Sequence, residues 1–403
     1  MIEQQRSTGR SLASTTFLYL FITLLLTIPA VALRPPSTDL FRITDFPNYY
    51  AAAHLYVSGQ SALAYDREAL RKTESTFFPD IGQNIRPVNL PPFVLPLLAP
   101  LAAIPAEQFS LVWHALLVLS TAAAVLIIAR AVHLTGRQTL LLAAFVAVCG
   151  PQWEAVRCGQ ITGILLMLYA GCVHSLRSGR TERAALFMAG LLLKPHELLP
   201  TVAFMAGARR FRFCVIIALV GLALAAASLI CSGPEVYARY LQFMPESFEV
   251  TDVVNPTIRG QFMYLFPTVE PYWSRAVGLG AFILSLISLM VLGARLAATP
   301  ACLDYAIMAS MPVGLIAAPH LHNYDLLLIL PAAILSFQAF KGEVVSASLC
   351  LFACLCFLPV YMYVHYQFPK LGLAVNPIFF SLAAFVLALV LRLWSAPQQA
   401  ATK

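Results

Sequence analysis

Charge is what this chain has least of. Only 11% of its 403 residues are charged, against 60% hydrophobic, and the mean hydropathy is +0.77. A soluble globular domain carries about 25% charged residues, so the composition excludes a water-soluble enzyme, and a disordered or fibrous chain with it. Gly-rich phosphate loops, HExxH and GxSxG motifs, low-complexity segments and a clear internal repeat are all missing. So are the alternating ten-residue segments of an outer-membrane barrel. The nine cysteines make no disulfide framework. Cys149, Cys172, Cys214, Cys231, Cys350, Cys354 and Cys356 fall in or at the ends of apolar runs, where cysteine acts as a small hydrophobe. Cys354 and Cys356 are two apart without a nearby histidine, which argues against zinc.

What is present is a series of long apolar runs. A helix needs about 20 apolar residues to cross the hydrocarbon core, and the first candidate is Ser11–Leu33, read as a retained helix rather than a cleaved signal. Further spans read as Glu107–Ile128, Thr139–Gly150, Gly159–Ser175, Ala184–Leu193, Leu198–Gly207, Phe213–Ser232, Ala276–Gly293, Leu303–Ala318, Asp325–Phe340, Val344–Tyr363 and Ile378–Leu391. This predicts an all-α polytopic membrane protein of about 12 transmembrane helices, several short or broken. It is one integral membrane domain. After the first helix come an outer loop at 34–106, helices over 107–232, a second outer loop at 233–275, helices over 276–393 and a tail at 394–403. The segment Asn89–Pro105 carries five prolines, which disfavour a regular span, and it reads as half-inserted.

Basic residues concentrate on cytoplasmic loops. With both termini inside, the cytoplasmic segments carry a net +10 and the outer segments −3, which together return the chain's +7. The carboxylates thus collect outside, and chemistry is expected there.

Four polar clusters interrupt the apolar runs on that outer side. Asp45-Phe46-Pro47 precedes a helical run with Tyr49, Ala53 and Tyr56 on one face. Asp45 reads as an N-cap with Pro47 in the first turn, or as a carboxylate among aromatics that takes a proton from a hydroxyl; the two roles can coexist. Lys194-Pro195-His196-Glu197 joins two short helices, either as a snorkelling lysine or as a cationic tip that meets a ligand such as a lipid phosphate. Trp153-Glu154-Ala155-Val156-Arg157 leads to Gln160, with Arg157 either an interfacial arginine or a phosphate contact. Pro319-His320-Leu321-His322-Asn323-Tyr324-Asp325 joins two late spans; its two histidines stand too close, without a third ligand, for a metal site. In the second loop, Asn255 to Leu265 reads as a turn and an amphipathic helix containing Arg259, which serves as a lid anchor or contributes a cation.

Together these motifs resemble glycosyltransferase family 87, of the GT-C fold. The resemblance rests on Asp45-Phe46-Pro47-Asn48-Tyr49-Tyr50, Gly59 and Tyr65-Asp66, Leu90-Pro91-Pro92-Phe93, Gly159-Gln160, Leu193-Lys194-Pro195-His196, Asn255-Pro256-Thr257-Ile258-Arg259 and Pro319-His320-Leu321-His322-Asn323-Tyr324. It implies an inverting transferase that takes a hexose, mannose by family weight, from a polyprenyl-phosphate sugar to a hydroxyl of a glycolipid or glycan, outside the cytoplasmic membrane. The resemblance puts the base at Asp45 and His322 beside the reacting groups. Tyr49 and Tyr50 would flank the sugar, Lys194, His196 and Arg259 would hold the phosphate, and Arg157, Gln160 and Asn323 would bind substrate. Neither metal nor other cofactor is expected, and the partners are lipids and lipid-linked sugars, with no nucleic acid. Thr162 departs from the Asn common in the family. An arabinofuranosyltransferase is the alternative within the class. A transporter or lipid-carrier flippase is the rival outside it, and predicts polar groups on both faces; a non-catalytic assembly subunit predicts Asp45 and Lys194 far apart.

Overall fold

A computed structural model of the chain describes residues 44–79, 88–247, 255–299, 301–340, 344–349, 351, 353–355 and 377–400. The expected first helix, Ser11–Leu33, and the end of the Val344–Tyr363 span lie outside these residues. The described residues are helical throughout, with turns and loops between. In chain order the main helices are α1 (Phe46–Val57), α2 (Arg67–Phe77), α3 (Ala106–Ala131), α4 (Gly136–Val148), α5 (Gly150–Cys158), α6 (Thr162–Arg177), α7 (Thr181–Ala189) and α8 (Pro195–Gly207). They continue as α9 (Phe211–Ser232), α10 (Glu235–Ser247), α11 (Ile258–Leu265), α12 (Pro271–Leu296), α13 (Cys302–Ala317), α14 (Leu330–Ala339) and α15 (Pro377–Ala400).

Among the described residues, four helices are long and apolar enough to cross a membrane: α3, α9, α12 and the Ile378–Ser395 part of α15. A fifth arises if α4 and α5, bent by 54° at Cys149, count as one crossing. The bend has a local cause. Pro151 stands in the first turn of α5, where its missing N–H and fixed φ suit a helix start and forbid continuation of the one before. Trp153 to Cys158 therefore belongs to a separate short helix, and the span expected to begin at Gly159 begins instead at Thr162.

The proline-rich stretch behaves as its composition demands: Pro92–Val94, Leu95–Leu98 and Ala99–Ala103 are successive single-turn pieces rather than a span. The two expected ten-residue helices around Lys194 appear as α7, a 3₁₀ turn over Gly190–Leu193, and α8. The segment between α9 and α12 contains α10 and α11, the latter capped by the Thr257 hydroxyl, which accepts from the Gly260 N–H at 3.0 Å.

Helices of this length cannot be held together in lipid by the hydrophobic effect, so close packing of small residues does it. The α8–α12 crossing shows how. A side chain on Gly207 would fall on the Met290 carbonyl oxygen, and one on Gly293 on the Phe204 carbonyl oxygen. Each glycine thus lets the other helix's backbone approach. Overpacking costs about 1–3 kcal/mol per site; Gly207→Leu should lower the thermal unfolding midpoint of the purified protein in detergent, whereas Gly280→Leu, at a position with nothing within 4 Å, should not. Equal midpoints for the two variants would remove the crossing from the account.

Candidate active site

The site begins at the end of α5. Gly159 terminates that helix in the left-handed region, at φ 68° and ψ 29°. A side chain there would be strained and would also meet the Phe46 Cβ at 2.7 Å, so glycine is required twice over. The Gly159 carbonyl accepts from the Trp113 indole N–H at 2.8 Å. The preceding carbonyl, Cys158, is left without an intrahelical donor. It accepts instead from the Asp45 backbone N–H at 2.8 Å and the Thr44 hydroxyl at 3.2 Å. The start of α1 is thereby docked onto the end of α5.

That docking decides the role of Asp45. It occupies the N-cap position of α1, and its backbone carbonyl accepts from Asn48 and Tyr49, but its side chain makes no cap bond. The carboxylate is used elsewhere: it accepts from the Gln160 amide Nε2. Gln160 Oε1 in turn accepts from the Tyr49 hydroxyl at 3.4 Å, and the Tyr49 ring lies 5.3 Å from Trp113. Asp45, Gln160 and Tyr49 form one chain of contacts on two docked helices.

The opposite wall is built on Lys194. The chain leaves helical geometry there (φ −133°, ψ 84°), and Pro195 restarts it. The ammonium donates to Asp325 Oδ1 at 2.6 Å, stands 3.7 Å from Glu197 Oε1, and lies 5.0 Å from the centre of the Tyr324 ring. Asp325 also accepts from the Thr162 hydroxyl at 3.1 Å and from the His322 backbone N–H at 3.2 Å. Thr162, the departure from the family pattern, thus holds the carboxylate that holds the lysine. Burial alone would lower the Lys194 pKa; Asp325, Glu197 and Asp45 outweigh it, and the ammonium is held above its usual value. His320 goes the other way: burial, then the neighbouring His196, push it down to about 3, so it is neutral at pH 7.

The two walls face one cavity of about 310 Å³. Asp45, Tyr49, Gln160, Lys194, His196 and His322 all line it, joined by Asn48, His320, Tyr324 and Asp325. Leu90, Leu199, Phe243, Leu279 and Phe282 give it an apolar side. Six of the ten residues singled out from sequence therefore converge.

The other four do not. The Tyr50 hydroxyl donates to the Ile104 carbonyl at 2.7 Å, and its ring packs on His54, Phe77, Phe78 and Phe109. It is a core residue and does not flank the cavity. The Arg157 guanidinium lies 5.9 Å from the Trp153 ring, apart from the cavity. Asn323 is buried in the turn behind it. Arg259 donates to the Pro319 carbonyl at 2.8 Å and lines a different cavity. The phosphate set implied by the resemblance is therefore divided between two places.

Asp325 and Asn48 escaped the sequence reading as site residues. Asp325 was visible as an acid at the end of the histidine motif, but its partner is 131 positions away in sequence and no spacing rule joins them. Among the described residues no group of His, Cys, Asp and Glu could hold a metal ion.

A helical chain with membrane-length spans, whose carboxylates, lysine and histidines meet in a cavity with an apolar side, is a polytopic membrane protein with an enzyme-like site. The family model of glycosyltransferase family 87 matches residues 90–319, more than half of the chain. The chain belongs to that family and is a membrane glycosyltransferase. The matched range includes Gln160, Lys194 and Arg259; Asp45 and His322 lie outside it. No curated protein and no solved structure matches the chain.

Two tests follow from this geometry. Removing one partner of a buried pair leaves the other charge uncompensated, at about 3–5 kcal/mol; Lys194→Met should therefore lower the unfolding midpoint sharply, and adding Asp325→Asn should restore part of the loss. The second test concerns Glu74, a buried residue of α2 pushed up to about 8 by burial and then by Asp45. The folded chain keeps a proton there that the unfolded chain, with an ordinary value of 4.5, has released. Its contribution is fully present below pH 4.5 and is lost as the pH rises through 8. Glu74→Gln should leave stability at pH 4.5 nearly unchanged and raise it at pH 8 by about 4 kcal/mol; an equal effect of the substitution at both pH values would contradict this.

Proposed function

We propose that the protein is an inverting transferase that moves a hexose, mannose in the favoured case, from a polyprenyl-phosphate donor to a hydroxyl of a lipid or glycan acceptor on the outer side of the cytoplasmic membrane. In this reading the chain makes about 12 crossings in a GT-C-like arrangement, with both termini inside. The observation that carries it is the convergence of Asp45 and Lys194 on one cavity with an apolar side. An assembly subunit would have no reason to bring them together, and a transport path would not end in a docked carboxylate.

The reaction needs a base on one side of the sugar and charge compensation on the other. Asp45, held by Gln160, takes the proton of the acceptor hydroxyl. The hydroxyl oxygen bonds to the anomeric carbon as the bond from that carbon to the phosphate oxygen breaks, with inversion, and the polyprenyl phosphate departs as a monoester. Charge develops on that phosphate, and preorganised donors act most strongly where charge develops. An ammonium has three N–H donors; Asp325 takes one at 2.6 Å, and capacity remains for a phosphate oxygen. His196 and His322 add donors along the same wall, and the apolar side receives the first isoprene units. Tyr49 flanks the sugar; Tyr50 drops out of this role.

Asp45→Asn is the decisive variant. Transfer from a short-chain polyprenyl-phosphate hexose in detergent should fall by about 10²–10⁴-fold, while binding of that donor to the purified protein persists. Turnover at the parent rate would overturn the assignment of the base.

A further inference from the structure

The transfer step as written makes no use of Tyr324. This residue lies in the 3₁₀ turn Asn323–Ile329, directly after the histidine pair, and it lines the cavity with Asp45, Tyr49 and Gln160. Only 4% of it is exposed. His322 stacks on its ring at 5.0 Å, with 25° between the planes, and His320 packs edge-on against His322 at 4.7 Å. The Lys194 ammonium lies 5.0 Å from the ring centre, a cation–π contact. Ala155 and Cys158 of α5 complete the packing, and the Cys158 carbonyl is the one that pins Asp45. Tyr324 thus joins the two walls, the cation on one and the helix end that carries the base on the other.

The ring is fixed, but the hydroxyl is not engaged. Among the described residues it makes no hydrogen bond, whereas the hydroxyls of Tyr49, Tyr50, Tyr65 and Tyr169 each donate to an oxygen of the protein. Phenylalanine would fill the same space and make the same ring contacts without an unpaired hydroxyl, which is costly where water is scarce. A hydroxyl kept in such a place is one that a ligand pairs.

The surroundings identify the kind of ligand group. Burial, then Asp325 and Asp45, hold the Tyr324 hydroxyl well above its usual pKa, so it stays protonated and lies in the field of two carboxylates. An anionic oxygen brought there would be repelled by that field; a neutral hydroxyl would not. A phenol both donates and accepts, as a sugar hydroxyl does, so the two can pair either way round. The phosphate keeps to Lys194, and the neutral, hydroxyl-bearing part of the ligand falls beside Tyr324, between the ammonium and the base.

We propose that Tyr324 is a specificity-determining residue: its hydroxyl pairs with one hydroxyl of the transferred sugar and thereby sets which sugar the cavity accepts. The assignment rests on the transferase reading above and deepens it from transfer to sugar choice. A site that pairs a substrate hydroxyl discriminates strongly against analogues without it, because the protein's own polar group is then left unpaired.

The test is binding to the full chain purified in dodecyl maltoside, measured by calorimetric titration. The ligands are farnesyl phosphate, its esters with mannose, glucose, galactose and arabinofuranose, and the deoxy analogues of whichever ester binds most tightly. In the parent that ester should bind more tightly than farnesyl phosphate. Tyr324→Phe should weaken the ester by about tenfold, as loss of one hydrogen bond in a site closed to water predicts, and should leave farnesyl phosphate unchanged. Removal of one particular sugar hydroxyl should abolish the difference between parent and variant, and removal of the others should preserve it. The variant loses no partner within the protein, so its thermal unfolding midpoint should match the parent's; a lowered midpoint would reveal such a partner and overturn the role of Tyr324. An ester bound equally well by both proteins, a parallel loss of farnesyl phosphate, or a loss that persists for every deoxy analogue would each overturn it as well. So would a parent that binds farnesyl phosphate but gains nothing from any of the sugars, a result that leaves the phosphate at Lys194 in place. A parent that binds neither farnesyl phosphate nor any ester would instead overturn the reading of the donor, and the sugar contact with it.

Discussion

The contact on which the site depends is a backbone one: the Asp45 N–H on the Cys158 carbonyl. A helix leaves its last carbonyls unsatisfied, and in a chain this apolar they cannot be left to water. Here the start of another helix supplies the donor. The price of that arrangement is a left-handed Gly159, since only glycine turns the chain sharply enough without striking Phe46. The return is geometric. Gln160 follows directly, and its amide meets the carboxylate of the residue whose backbone has just been pinned. One left-handed position thus sets both the location of the carboxylate and the group that contacts it.

Lys194 shows the complementary constraint. A lone ammonium beside apolar helices would lose its proton or pull the structure apart, because a desolvated charge is costly. Asp325 and Glu197 prevent this, and Thr162 and the His322 backbone hold Asp325 in turn. The lysine is consequently a fixed charge rather than a mobile one, as the proposed role toward a departing phosphate requires. The same pairing sets a carboxylate against the ammonium on that wall of the cavity.

Much of this was legible in the sequence, for a physical reason: in a chain with so few charges, each one that interrupts an apolar run must be accommodated. Asp45, Lys194 and His196 stood out that way, and Gln160 through the family motif. Where the same reasoning misled, it lacked depth information. Tyr50 and Tyr49 are adjacent and chemically identical, and only the packing of α1 against α3 directs one to the core and the other to the cavity. Arg157 and Arg259 carry the same charge as Lys194, but a sequence does not say which side of a turn a helix presents. Asp325 needed a partner from another helix to become visible. Among the described residues the chain is helical as expected, but only four helices, or five with the bent pair, are long and apolar enough to cross a membrane. The expectation was poorest at α5, where Pro151 starts a short helix inside what looked like one continuous stretch.

The histidine motif gains its meaning from lying between two cavities. Its first residue, Pro319, is held from behind by Arg259, while His320, His322 and Asp325 face forward into the reaction space. The turn is fixed at both ends of its charge balance, by an arginine on the one side and the Lys194–Asp325 pair on the other. Anything that shifts Arg259 must therefore move the backbone that carries His320 and His322. Arg259 is thus joined to the first cavity through a turn a few residues long.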